Sequence, residues 1–192
     1  QVRDALYSET GIRVPGIRVR ANVKGLSERS FRVLLKDIPV YEAQVRVDGL
    51  LIMENAERVR RCGVEVEKVV HPLTGGEASF VNFEAQEVLE ELGLTVWSPS
   101  GVLALGLVNV LRKHAAVFLG LQEVSELVER LEKAYPALVR EVVPKIVTLQ
   151  QLVDVLKRLV DERVSVRDLK SILEALAEGA TYETDGVALT EI

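Results

Sequence analysis

The sequence predicts an α+β protein built in several parts: a small α/β unit with an inserted β-α-β-α-β block, followed by an all-helical, helix-turn-helix-like subdomain. Strand-like alternation of apolar and polar residues is confined to the chain before residue 98. A change of texture at Asp48-Gly49 marks off a compact block of residues 49–97. From Leu121 onward the apolar residues recur at helical spacing.

Residues 1–10 read as a short helix with Val2, Leu6 and Tyr7 on one side, ended by Gly11 and followed by the punctuation Pro15-Gly16. The alternation Ile17-Arg18-Val19-Arg20 predicts a first strand, residues 31–35 a second and residues 40–47 a third. Leu50, Leu51, Ile52 and Met53 then form a short buried run, and residues 54–62 are helical in pattern. A turn-rich stretch over residues 71–76 precedes a strand over 78–83. A helix over 84–92, ended by Gly93, and a strand over 95–97 complete the block.

Ser100 is the expected N-cap of a helix over 101–119, because its hydroxyl can accept from an otherwise unpaired amide. The next helix carries Val124, Leu127, Val128 and Leu131 on one face, and Pro136 and Pro144 bracket a short one. Thr148 and Gln151 make a capping box that opens a helix with Leu152, Val153, Leu156 and Val160 aligned. Ser165 is the expected cap of a last helix carrying Leu169, Ile172, Leu173 and Leu176.

A chain of 192 residues can bury about 70% of its unfolded surface, so it needs neither disulfides nor metal to fold. Its 24 basic and 29 acidic residues leave a net charge of −5, which argues against a dedicated nucleic-acid binder. Cys62 is the single cysteine; no intrachain disulfide is possible and a reducing compartment is expected. No apolar run approaches the roughly 18 residues of a membrane span. Beginning at Gln1 without a signal peptide and ending at Ile192, the chain reads as an excised fragment.

The chemical inventory is sparse. His71 and His114 lack the neighbouring ligands that a zinc site requires, so no metal or cofactor is expected. Cys62 follows Arg60-Arg61 but ends an amphipathic helix, which fits a half-buried thiol better than a nucleophile. The Thr74-Gly75-Gly76 turn lacks the spacing of a phosphate-binding loop. Carboxylates such as Glu123, Glu126 and Glu129 lie on a polar helix face, and no acid–base pair stands out, so no enzyme is expected. Residues 148–178 have helix-turn-helix grammar, which leaves open a DNA-binding regulator reading bases through residues 166–177. Against it, Arg167 and Lys170 are offset by Asp168 and Glu174.

Several stretches resemble the cytoplasmic domain of the type III secretion export-gate family of bacterial flagella and injectisomes. They are GIRVPGIRVRAN at 11–22, VWSPSGVLALGLVNVLRKHAAVFLGLQEV at 96–124, VREVVPKIVTLQQLVDVLKRLVDERVSVRDLKSILEALAE at 139–178 and, more loosely, HPLTGGEASFV at 71–81. The resemblance implies three subdomains: residues 1–48 with 98–120, the insert 49–97, and the helical part 121–192. A membrane-spanning half and a fourth subdomain are then missing, and any membrane association would run through that half. It implies the cytoplasmic side of a bacterial inner membrane and a nonameric ring. Its partners would be export chaperones, secreted substrates, gatekeeper proteins and other export-apparatus components. Trp97-Ser98-Pro99-Ser100 is similar to the injectisome branch. The flagellar Asp-Pro-x-Phe pattern, which helps hold chaperones, is replaced here by His71-Pro72-Leu73-Thr74. The implied partner groove comprises His71, Pro72, Leu73, Thr74, Phe80, Trp97, Pro99 and Ser100, and the candidate ring contacts are Arg18, Arg20, Arg163 and Arg167.

Overall fold

The computed structural model describes residues 2–54, 56–61, 63–72 and 74–180; Cys62 and Leu73, both singled out above, lie outside the described residues. Contacts divide the chain into two compact units, Arg18–Val110 and Gln1–Ile17 with Leu111–Ile192. The first helix, α1 (Val2–Thr10), thus groups with the later helices, along other lines than the three-part division implied by the resemblance.

In the α/β unit, β1 (Ser30–Leu35) and β2 (Ile38–Gln44) form an antiparallel hairpin. It is closed by Lys36 and Asp37 at φ 51° and 64°, the left-handed pair that matches the right-handed twist of the strands. The strands β3 (Leu50–Ile52), β4 (Glu67–Val70), β5 (Glu77–Val81) and β6 (Val96–Trp97) make an antiparallel sheet in the order β4-β5-β3-β6. Strand β4 is additional to the expected β-α-β-α-β order. The expected strand at 17–20 is corrected: these residues pair with no described segment, and Val19 is 87% exposed. Alternation selects a face, but a strand also needs a backbone partner.

Register decides which residues meet. Leu51 stands opposite both Phe80 and Trp97, and Val69 opposite Ala78. With a side-chain period of two, these share one face, and Leu50, Ile52 and Val81 point to the other. The latter pack with Ala56 and Val59 of α2 (Ala56–Arg60) and Leu89 of α3 (Gln86–Glu91). The first face packs with Val45 and with Val102 of α4 (Pro99–Lys113).

Helix α4 begins earlier than expected. Ser98, rather than Ser100, caps it, its Oγ accepting from the Gly101 amide at 3.2 Å. Pro99 then occupies the first helical position, where its missing N–H costs nothing. A Cβ on Gly106 would come within 2.6 Å of the Phe31 ring, so this glycine allows α4 its close approach to β1.

The helical unit contains α5 (Leu121–Ala134), α6 (Pro136–Val142), α7 (Leu149–Asp161) and α8 (Leu169–Gly179). Val124, Val142, Leu152, Leu156 and Leu173 are fully buried in one aliphatic cluster, each worth about 1.5–3 kcal/mol of transfer free energy. The Thr148–Gln151 capping box forms in both directions, at 3.2 and 2.8 Å. Asp168, not Ser165, caps α8, accepting from the Ser171 amide at 3.1 Å. The Ser165 hydroxyl accepts from Arg167 N instead. Helix α7 ends in a Schellman motif: Val164 N donates to Leu159 O and Arg163 N to Val160 O, with Arg163 at φ 65° where glycine is usual.

Helix α1 is tied into this unit through Val166 N, which donates to Thr10 O at 2.9 Å, and through an Arg112–Glu9 ion pair at 2.8 Å. Gly11 has φ 80°, and a Cβ there would stand 2.5 Å from the Arg167 backbone nitrogen. Two substitutions with opposite outcomes follow, both measured by urea denaturation. Gly11→Ala should cost more than about 2 kcal/mol, because left-handed strain and a backbone clash combine. Arg163→Gly should gain up to about 1 kcal/mol by relieving the left-handed strain alone.

Candidate functional site

The α/β unit contains a cavity of about 80 Å³ built from segments far apart in the sequence. Leu51, Phe80 and Trp97, from three adjacent strands, supply its floor through the register just described. Pro99 and Val102 of α4 add an apolar wall, and Pro72 comes from the β4–β5 loop. Arg46, in the link between β2 and β3, closes the lining on the charged side.

Gly49 shapes this place by what it lacks. A Cβ there would lie 2.2 Å from Val81 O and 2.7 Å from the Phe80 ring. The Arg46 guanidinium lies 3.7 Å from the centroid of Phe80. It also pairs with Asp48 at 2.8 Å and Glu67 at 2.5 Å. Hydrogen bonds to these two carboxylates raise its pKa further and hold the Asp48 carboxyl below its ordinary value.

The loop beside the cavity is held from within. His71 N donates to Gly76 O at 2.8 Å, and Gly75 N to His71 O at 3.0 Å. Thr74 N donates to His71 Nδ1 at 3.2 Å, and Gly76 N to Thr74 Oγ1 at 3.2 Å. The imidazole is 5% exposed, and burial lowers its pKa. From β2, Tyr41 Oη donates to Pro72 O at 2.7 Å and fixes the loop at its other end. Burial raises the pKa of this phenol.

Of the groove residues nominated from sequence, Pro72, Phe80, Trp97 and Pro99 come together around the cavity. His71 and Thr74 instead organise the loop, and the Ser100 hydroxyl bonds to Ser98 Oγ at 3.0 Å in the first turn of α4. Arg18 and Arg20 are exposed in the α/β unit. In the helical unit, Arg163 occupies the Schellman position, and Arg167 Nη1 donates to Ser8 O at 3.1 Å. Sequence reading missed Arg46, Gly49, Leu51 and Val102 as lining residues. Gly49 carried a usable signal, a glycine directly before an apolar strand, where close backbone approach is common. Among the described residues, no group of three or more His, Cys, Asp or Glu could hold a metal ion. The same residues include no helix long and apolar enough to cross a membrane.

The result is a small, largely apolar notch with a charge-paired arginine at its rim. The chain belongs to the FHIPEP family, whose model matches residues 1–192; this is the type III secretion export-gate family that the sequence resembles. It is 39% identical to low calcium response locus protein D of Yersinia pestis, an alignment covering all of this chain and 27% of that protein. Identity to the flagellar biosynthesis protein FlhA of Bacillus subtilis is 30%, over 99% of this chain and 28% of that protein. These values favour the injectisome branch over the flagellar one. The chain thus spans about a quarter of the length of these relatives.

Among solved structures, the Chlamydia pneumoniae CdsV in the CdsV–CdsO complex matches with a TM-score of 0.90 and 35% identity, over 99% of this chain and 54% of that one. The nonameric cytosolic domain of EscV from a type III secretion system matches with a TM-score of 0.72 and 29% identity, over 99% and 55%.

Two outcomes test the site's construction. Gly49→Ala should destabilise the α/β unit by about 1–3 kcal/mol in chemical denaturation, because the clash is with backbone. The lowered pKa of His71 gives a sign for acid: below about 6.5 the unfolded chain takes up a proton that the folded imidazole resists. Stability supplied by neutral His71 is therefore full above that value and is lost as pH falls below it. Thermal melts from about pH 7.5 to about pH 5.5 should show the parent losing more stability than His71→Asn, which keeps an acceptor for Thr74 N without the titration.

Proposed function

We propose that this chain is a docking platform on the cytoplasmic side of a bacterial type III secretion export apparatus. It receives export chaperones with their substrates, and gatekeeper proteins, and it acts by binding rather than by catalysis. The observation that carries the reading is the notch formed by Pro72, Phe80, Trp97 and Pro99 in a chain matched to the family along its whole length. A structure of a relative bound to another protein, CdsO, supports a further docking role toward a counterpart of CdsO. The first groove then lies in the α/β unit, and residues 49–97 serve as its inserted subdomain.

We further propose assembly into a ring, supported by the nonameric state of the related EscV domain. Arg18 and Arg20 are exposed and make no hydrogen bond or ion pair with a described residue, so they are available to acidic faces of a neighbour. Arg163 is the corresponding candidate in the helical unit. The alternative of a DNA reader has less support, since Arg167 donates to Ser8 O and Lys170 pairs with Glu174 within the same chain.

Binding of the purified chain to its cognate chaperone–substrate and gatekeeper proteins should be measurable by calorimetry and weakened by Trp97→Ala. Absence of binding to all of them, even with the C-terminal remainder of the protein restored, would overturn the platform reading. Ring contacts of this kind are worth about 0–1 kcal/mol each. Sedimentation should therefore show assemblies falling apart as salt rises from about 0.05 to about 0.5 M. Arg18→Glu with Arg20→Glu should do the same at low salt.

A further inference from the structure

We propose that the exposed arm at residues 18–25 docks on the outer face of α3 in a second copy of this chain. This rests on the reading of the chain as a ring subunit and names the acidic face that Arg18 and Arg20 meet.

The arm is uncommitted. Residues 18–25 are all exposed, Val19 almost completely, and the backbone of residues 18–22 bonds to no described residue. The sequence has no acidic residue between Glu9 and Glu28. Arg18, Arg20 and Lys24 enter no ion pair or hydrogen bond with a described residue. In a chain of net charge −5, this is a basic strip with Val19 and Val23 along it.

The face of α3 is its counterpart. Together with the one-turn helix before it (Phe83–Ala85), α3 buries Leu89 and leaves Val88 and Leu92 half exposed. Helical spacing places Val88 next to Glu84, four residues before it, and Glu91, three after it. Glu84, Glu87 and Glu91 have no ion pair or hydrogen bond with a described residue. No Lys or Arg occurs between Lys68 and Arg112 to balance them. Glu87 and Glu91 repel across one turn, and Glu91 ends the helix, where the backbone dipole disfavours an anion. A cation arriving from outside removes that local cost.

Symmetry decides the occupant. Arm and face belong to one chain, are opposite in charge, and both carry exposed aliphatic side chains, yet no ion pair joins them within the chain. Because they are different surfaces, a contact between two copies leaves one arm and one face still open. Such a head-to-tail contact closes into a ring where the rotation fits, whereas a two-fold dimer needs a self-complementary patch. The related EscV domain is nonameric. In the contact, Val19 seats against Val88 and Leu92, and Arg18 and Arg20 reach the carboxylates beside them.

Two charge reversals in the 192-residue chain test this together. Arg18→Glu with Arg20→Glu makes the arm acidic; Glu84→Arg with Glu87→Arg and Glu91→Arg makes the face basic. Each variant alone should sediment as a monomer at about 0.05 M salt. Their equimolar mixture should assemble again, because each arm then finds a face of opposite sign. A fluorescently labelled peptide of residues 18–25 should bind the parent and the arm variant, but not the α3 reversal. If that reversal does not fold by circular dichroism, Glu84→Gln with Glu87→Gln and Glu91→Gln carries the test. It should weaken the peptide about two- to thirtyfold, the loss of two exposed pairs.

An α3 reversal that assembles alone like the parent overturns the inference. So does a mixture that stays monomeric while the parent assembles, or a peptide bound equally by the parent and the α3 variants. A parent that assembles with a silent peptide and no rescue in the mixture would leave the ring reading standing and remove this contact. Peptide binding abolished by the α3 reversal, in a parent that never assembles, would keep the contact and remove the ring. Loss of chaperone or gatekeeper capture on reversing α3, with the peptide silent, would assign the face to another protein and overturn the contact between copies.

Discussion

Leu51 faces Phe80 on one side and Trp97 on the other, and the organisation of the α/β unit depends on that double register. A slip of one residue would send Leu51 to the opposite face and bring Leu50 and Ile52 into the notch. The helices α2 and α3 would then lose the two β3 residues that anchor their core. The register is defended by a steric condition immediately before the strand. Gly49 admits the Val81 carbonyl and the Phe80 ring to a distance that no other residue tolerates. The same close approach leaves the Phe80 face for Arg46 to cover, so the sheet pairing and the chemistry of the notch share one cause.

The helical unit solves a different problem. Its core is aliphatic, and among the described residues none of its fully buried large side chains is polar. Such a core sets no direction by itself, so orientation comes from the helix ends. Thr148 and Asp168 fix where α7 and α8 begin, and the Arg163 turn fixes where α7 stops. Gly11 allows the backbone to pass Arg167 closely enough for Val166 to bond Thr10, which joins α1 to the turn before α8. Surface charge is paired both within a helix, as with Lys170 and Glu174, and between helices, as with Arg140 of α6 and Glu132 of α5. These pairs contribute little stability but keep the polar faces balanced in sign.

Helices were legible wherever their cause is local. The periodic apolar faces of α5 and α7, and the Thr148–Gln151 box, depend on residues within one or two turns. Caps failed where two candidates stood close together: Ser98 and Ser100 are both plausible, and only the backbone path selects the first. Strands were less legible. Ile17-Arg18-Val19-Arg20 has the right alternation and no partner, whereas Glu67-Lys68-Val69-Val70 lacks clean alternation and pairs fully with β5. For the site, the aromatic and proline residues could be nominated from the resemblance. The part of Arg46 could not, because it depends on Glu67, 21 positions away, and on a ring that only sheet register brings beneath it.

The departure at residues 71–74 takes on a definite physical meaning in this fold. Where the flagellar pattern implies an acidic and an aromatic residue, this chain has His71, buried and bonded to the loop's own backbone, and Thr74, which closes the turn onto Gly76. Neither offers a charge or a ring to a partner. Ring surface is supplied instead by Phe80 and Trp97 in the adjoining strands, and acidity by Asp48 and Glu67 around Arg46. The two properties are therefore present but displaced from that loop to the sheet face and the link before β3, with Phe80, Trp97 and Glu67 held on paired strands. A partner selected for a protruding acid and phenyl on a loop would not fit a recessed floor with its cation already neutralised. On this reading the branches diverge in groove chemistry through the place from which the same two ingredients are presented.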